Sequence, residues 1–183
     1  MKYSDEEIVK KVLAGEKQLF ELLIDRYQQP VYNLMLRYAG NSDEAAELTQ
    51  DTLVRTFERL RLFRADRTFF SWLYRLAINL AQDWSRKKSR QRTKMYLLQQ
   101  QSIELHDDSE GKWARETRQE IEQVEDGLMQ LSSQTREILI FRYRHGRPIR
   151  DVANAFNLSE SAAKMRIKRG LAKLREILLD KAG

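Results

Sequence analysis

Pro148-Ile-Arg-Asp-Val-Ala-Asn-Ala-Phe156, then Asn157-Leu158, then Ser159-Glu-Ser-Ala-Ala-Lys-Met-Arg-Ile-Lys-Arg-Gly-Leu-Ala-Lys-Leu-Arg175: this stretch decides the fold. Ile149, Val152, Ala153 and Phe156 recur at i, i+3, i+4, i+7, which is one apolar face of a short helix. Ser159 then offers a hydroxyl oxygen to cap a second helix. In that helix Ala163, Ile167, Leu171, Leu174 and Leu178 share a side. The other side carries Ser161, Ala162, Met165, Lys168 and Arg169, flanked by Lys164 and Arg166. Two helices, a tight turn and a basic outer face fit a helix-turn-helix, which points to duplex DNA and away from catalysis.

Composition supports a polyanion partner. The chain has 183 residues and a net charge of +6, and long-range attraction favours anionic ligands. It has no Cys, so disulfides and thiolate metal sites are excluded. His106 and His145 are its two histidines, too few for a His-based metal centre. No apolar run approaches the ~18 residues of a membrane span, and the acidic first residues do not resemble a secretory signal. The expected compartment is the cytoplasm. Two Pro and seven Gly leave little room for the turns of an all-β fold. The fold class expected is all-α.

Working towards the N-terminus, Gln134–His145 reads as a helix capped by the Leu131-Ser132-Ser133 segment, with Gly146 just past its end. Before it lies a stretch that is Gln-rich and then acidic, with little apolar periodicity. It reads as a flexible linker over 93–125. This divides the chain into a helical domain at 1–92 and a smaller one at 126–183, with the helix-turn-helix at about 149–168. In the first domain, Ser4 and Glu7 form a capping box for a helix near Asp5. Glu16–Ala39 is a second helical pattern that Pro30 should kink or split. Ser42 is expected to cap a third helix over Asp43–Leu62. A fourth runs from Thr68 to Arg90.

Two of these helices carry polar stripes. Ser71, Arg75, Asn79, Gln82 and Arg86 align along the fourth helix. Asn and Gln suit base edges, and the basic run Arg86–Lys94 suits phosphates. On the third helix, Ala46, Leu53, Phe57 and Leu60 are expected to face a core. Glu44, Glu47, Asp51 and Glu58 form an acidic stripe bordered by Leu48 and Val54. An acidic face repels DNA and suits a protein partner with basic side chains. A solvated helix surface is the alternative for both stripes. Phe63, Phe69, Phe70, Trp72 and Tyr74 read mainly as core. With Arg64, Asp66 and Arg67 the adjoining loop also has the makings of a pocket for an unstacked base. No Gly-rich phosphate loop, Ser-His-Asp set or paired carboxylates are evident.

Asp43-Glu-Ala-Ala-Glu-Leu-Thr-Gln-Asp-Thr-Leu-Val-Arg-Thr-Phe57, Phe63-Arg-Ala-Asp66 and Ser71-Trp-Leu-Tyr-Arg-Leu-Ala-Ile-Asn-Leu-Ala81 resemble region 2 of extracytoplasmic-function sigma factors. Leu131-Ser-Ser-Gln-Thr-Arg-Glu-Ile-Leu-Ile-Phe-Arg-Tyr143 with the hairpin resembles their region 4. The resemblance implies a bacterial transcription initiation factor that binds core RNA polymerase, recognises −10 and −35 promoter elements and helps open the DNA. From composition, no cofactor and no metal are expected. Glu47, Gln50, Asp51, Val54 and Glu58 would dock on the clamp helices of the largest polymerase subunit. Arg64, Asp66, Ser71, Arg75, Asn79, Gln82 and Arg86 would contact the −10 region. Ser159, Ser161, Ala162, Lys164, Met165, Arg166, Lys168 and Arg169 would contact the −35 element, with the flap of the second-largest subunit holding this domain. An anti-sigma factor would hold such a protein inactive, and could sequester it at the inner membrane face. The other class open to the sequence is a helix-turn-helix regulator that binds DNA unaided. Pro148 and the Ala162-Ala163-Met165 set depart from the family's usual Ser/Thr, Thr-Val and Ser. The less polar surface shifts −35 binding towards phosphates and DNA shape. Gly170, inside a helix, costs ~1 kcal/mol relative to Ala with no reason visible in the sequence.

Overall fold

The computed structural model describes residues 3–96 and 123–180. Every regular element among them is helical. The chain divides between Gln99 and Gln100 into two compact units. The linker expected at 93–125 falls largely outside the described residues; 93–96 and 123–125 are helical.

In the first unit, α1 spans Asp5–Leu13. Its capping box is present: the Ser4 amide donates to Glu7 Oε2 at 2.7 Å and the Glu7 amide to Ser4 Oγ at 3.2 Å. A 3-10 turn, Lys17–Phe20, leads into α2, Glu21–Ala39. Pro30 does not split α2. Proline removes one helical hydrogen bond, but Leu23 before it and Val31, Leu34 and Met35 after it are all buried. Burial of each such side chain contributes ~1.5–3 kcal/mol, which outweighs the lost bond. Gly40 ends α2 in the left-handed region, φ 67°.

The third helix, α3, is Ser42–Glu58, shorter than expected because Leu60–Leu62 forms a separate 3-10 turn. Its cap is Asn41 rather than Ser42: Asn41 Oδ1 accepts from the amides of Asp43 and Glu44 at 2.8 and 3.1 Å. Gly40 is left-handed, and Asn41 follows it in extended backbone (φ −145°, ψ 134°), the conformation a cap requires. The core-facing side of α3 is also not the expected one. Ala46 is exposed and Phe57 is 38% exposed, its ring set edge-on to Phe20. Ala45, Leu48, Thr49, Thr52 and Thr56 are buried instead. The three hydroxyls donate to the carbonyls of Ala45, Leu48 and Thr52 at 2.6, 2.7 and 2.6 Å. A threonine satisfied in this way buries its methyl without stranding a polar group. The fourth helix, α4, is Phe69–Tyr96. It packs on α2 and α3 through Phe69, Phe70, Leu73, Tyr74 and Ala77.

In the second unit, a helix over 123–130 (α5) precedes α6, Ser133–Leu139. Ser132 caps α6 by accepting from the Thr135 amide at 3.4 Å. The expected helix to His145 changes pitch: Ile140–Arg144 is a π turn. Gly146, at φ 62°, turns the chain away. Then α7, Ile149–Phe156, and α8, Glu160–Asp180, form the hairpin. Pro148 is the N-cap of α7, in extended backbone, where its missing N–H costs nothing. Gly170 now has a reason. A Cβ there would lie 2.7 Å from Thr135 Cγ2, so α8 passes too close to α6 for a side chain. The core also holds Glu137, fully buried, with Arg136 3.5 Å away. Nothing in the pattern of charges marks these two as interior.

Candidate nucleic-acid and protein interfaces

The acidic side of α3 is solvent-facing where it matters. Glu47, Gln50, Asp51 and Glu58 are exposed and Val54 is 57% exposed. Glu44 leaves this set: its carboxylate accepts from Lys88 Nζ of α4 at 2.7 Å, and Lys88 also lies 4.5 Å from the Trp84 ring centre. Leu48 is buried. What remains is an acidic strip with an apolar residue at its edge.

The loop between α3 and α4 builds a different surface. Leu60 is buried beneath it. Phe63 packs on Phe69 and on Trp72 at ring distances of 5.7 Å. These anchors fix the loop against the start of α4. Between loop and helix lies a cavity of about 260 Å³ lined by Arg59, Leu62, Arg64, Arg67, Trp72, Arg75, Leu76 and Asn79. Asp66 points elsewhere, towards Arg67 Nε at 3.2 Å. The hydrogen bond from Arg67 holds the Asp66 carboxyl below the usual carboxylate range, with the charges of Arg67 and Arg64 adding to it. The cavity is therefore rich in donors, positively charged, and bounded by a half-buried tryptophan. Basic walls hold phosphates, and an aromatic or apolar wall suits an unstacked base.

Of the stripe on α4, Asn79 and Arg86 are exposed and Arg75 and Gln82 half-buried. Ser71 is fully buried, its Oγ 2.7 Å from Thr68 Oγ1. This corrects its place in the exposed stripe: in the first turn of α4 this position is buried beside Thr68. Arg59 and Leu62, which the sequence did not single out, also line the cavity, together with Trp72, Arg75, Leu76 and Asn79 of α4. Their proximity to Arg64 in the chain is the only hint the sequence held.

In the hairpin, Asn157 turns the chain in the left-handed region, φ 54°. Ser159 Oγ accepts from the Ala162 amide at 3.1 Å, so it is engaged as the cap of α8. Ala163 and Ile167 are buried. Ser159, Ser161, Lys164, Met165, Lys168 and Arg169 are exposed, and Ala162 and Arg166 half-buried. The outer face of α8 is thus basic and continuous over its first three turns. Among the described residues no helix is long and apolar enough to cross a membrane.

Known proteins resemble both units. The family profile described as Sigma-70 region 2 matches residues 23–91, and that of Sigma-70, region 4 matches 127–176. The ECF RNA polymerase sigma factor SigW of Bacillus subtilis is 25% identical over 181 residues, 94% of this chain and 95% of that protein. The RNA polymerase sigma-H factor of Pseudomonas aeruginosa is 35% identical over 79 residues, 43% of this chain. The ECF RNA polymerase sigma-E factor of Haemophilus influenzae is 33% identical over 81 residues, 44% of this chain. This chain spans only 41% and 42% of the length of these last two. In fold, the chain is similar to CnrH, solved with the cytosolic domain of CnrY, at a TM-score of 0.69 and 23% identity, covering 98% of this chain and 99% of that one. It is also similar to RpoE of Bartonella quintana, solved with the anti-sigma factor NepR, at 0.68 and 21%, covering 87% and 96%. Two family profiles in the order region 2 then region 4, one on each helical unit, leave one assignment: the chain belongs to the sigma-70 family, among the extracytoplasmic-function sigma factors.

Proposed function

We propose that this chain is a transcription initiation factor that binds core RNA polymerase and directs it to promoters bearing its −10 and −35 elements. The observation that carries this is the placement, within one unit, of an exposed acidic strip on α3 beside the basic cavity between loop and α4. The two surfaces have opposite charge, so each repels the other's partner. Residues 1–92 then form the domain for polymerase docking and the −10 element, 93–125 the connection, and 126–183 the −35 domain. Glu47, Gln50, Asp51, Val54 and Glu58 meet the clamp helices of the largest subunit. Arg64, Arg75, Asn79, Gln82 and Arg86 meet the opened −10 region. Asp66 orients Arg67 rather than meeting a phosphate, because like charges would oppose. The outer face of α8 lies in the major groove of the −35 element, and the polymerase flap holds that domain.

The protein acts in the cytoplasm and performs no catalysis of its own. One structural relative was solved with the anti-sigma factor NepR, and an anti-sigma factor that covers these surfaces is the regulator proposed here. Run-off transcription tests the reading. Core enzyme plus this protein should initiate at discrete sites on DNA from the native genome, and sequencing the RNA ends maps its promoters. Asp51→Arg should abolish core binding with the fold intact. Discrete promoter binding by the protein alone, with no transcript in the presence of core, would instead identify a self-sufficient regulator.

A further inference from the structure

A separate cleft lies in the seam between α3 and α4. Its volume is about 440 Å³, a size that suits a small molecule. The floor is apolar: Leu48 and Leu80 are buried, and half-buried Trp84 lines the cleft with them. The Trp84 ring is held in place by Lys88, 4.5 Å from its centre, which Glu44 anchors in turn at 2.7 Å. The rim is charged, and its charges are unevenly matched. Asp83 and Arg86 are bonded to each other. Arg55 of α3 and Lys87 and Arg90 of α4 are exposed on the same cleft. Among the described residues, these three have no acidic partner, and Asp51, which also lines the cleft, has no basic one. Like charges gathered at one cleft repel each other unless an anion sits among them.

Phosphate groups supply that anion, since Arg and Lys donate charge-assisted hydrogen bonds to them. A bare phosphate has no use for the apolar floor, whereas a flat ring does. Asp51 decides which ring. A carboxylate only accepts hydrogen bonds, and its two oxygens can accept from two donors side by side. Guanine offers that pair, a ring N–H next to an exocyclic amine. Adenine and cytosine set an acceptor beside the amine, which a carboxylate repels. We propose that the cleft between α3 and α4 binds a guanine nucleotide. The base packs over Leu48, Leu80 and Trp84 with its donors on Asp51, and the phosphates lie among Arg55, Lys87 and Arg90. Nucleotide binding itself needs neither DNA nor polymerase. Its consequence rests on the docking reading above: Asp51 belongs to the acidic strip, so a bound nucleotide withdraws it from the clamp helices.

Equilibrium dialysis of the full chain against GDP, ADP and inorganic pyrophosphate tests this. GDP should bind about tenfold more tightly than ADP, the difference made by a pair of hydrogen bonds to a charged group. Pyrophosphate should bind more weakly than GDP, because it leaves the floor uncovered. Arg90→Ala should weaken GDP and pyrophosphate alike, by about fivefold for one solvent-screened cation. Asp51→Ala should bring GDP and ADP to equal affinity. The circular dichroism spectrum should be unchanged in both variants. The proposal is overturned by the absence of saturable GDP binding, by ADP or pyrophosphate matching GDP, or by a preference for GDP that survives Asp51→Ala. Saturating GDP should also lower the affinity of the wild-type chain for core polymerase. If GDP binds as described and core affinity does not move, the placement of Asp51 at the clamp helices fails, and the nucleotide site stands.

Discussion

Gly170→Ala puts a methyl group where α8 crosses α6. The added Cβ would sit 2.7 Å from Thr135 Cγ2 and 3.4 Å from Leu139 Cδ1. The second distance is tolerable; the first is not. Thr135 cannot swing away freely, because χ1 of a β-branched residue is restricted in a helix. Its Oγ1 also accepts from Ser132 Oγ at 2.9 Å, within the cap of α6. Overpacking of this kind costs ~1–3 kcal/mol. Replacing a mid-helix Gly by Ala returns ~1 kcal/mol of helix propensity. The net expectation is a loss of about 0–2 kcal/mol, despite a substitution that would stabilise an ordinary helix. The double-mutant cycle separates the two effects. Thr135→Ser removes Cγ2 but keeps the hydroxyl, so Gly170→Ala made in that background should recover the propensity gain. The coupling between the two sites should be about 1–3 kcal/mol. Urea denaturation of the four full-length proteins, followed by circular dichroism, measures it. Stabilisation by Gly170→Ala of the same size in both backgrounds would show that steric approach of α6 is not why position 170 is glycine.

Three other outcomes are expected. Asn41→Ala removes the acceptor for two amides of α3 and should lower the stability of the first unit by ~1 kcal/mol, while Ser42→Ala, at the neighbouring position, should have little effect; thermal melts compare them. The Asp66 carboxyl titrates below its ordinary range because of Arg67, so the interaction is present above the unfolded carboxylate pKa and is lost as pH falls through the lower folded value. Arg67→Ala should move the NMR titration of Asp66 upward, and an unmoved midpoint would mean that Arg67 is not the cause. Asn79→Ala should narrow the difference in transcript yield between an intact and a mutated −10 element; an undiminished preference counts against base reading by Asn79.

The hairpin was legible because its signals are local: a dense apolar period, a capping serine and a tight turn all lie within about thirty residues. The faces of α3 were not. Thr49, Thr52 and Thr56 look polar by type, and only the back-bonding of their hydroxyls makes them core residues. Periodicity therefore assigned Ala46 and Phe57 to the interior. Ser71 failed for a different reason. Its position on the helical wheel is right, but Ser71 is buried and bonded to Thr68, and no period within a helix reports what packs on it from outside. Asn41 and Ser42 are both competent caps, and the choice between them was made by the left-handed Gly40. Arg59 and Leu62 were invisible because a cavity wall is a tertiary fact. The acidic strip, by contrast, survived nearly whole, losing Glu44 to a partner 44 residues further along the chain.

That partner changes how the charge of the protein should be counted. Counterion release on DNA binding depends on cations that reach phosphates, and each one displaces part of the ion atmosphere around the duplex. Lys88 stands in the middle of the basic run after α4's apolar segment, yet its ammonium is neutralised by Glu44 and rests on Trp84. It belongs to the seam between α3 and α4. Arg86, two residues earlier, is bonded to Asp83. A polyelectrolyte estimate taken from the sequence thus overstates the run. For Lys88 to be recruited to a phosphate, Glu44 must be left behind as a new anion on α3, so any phosphate contact made there registers as added charge beside the acidic strip.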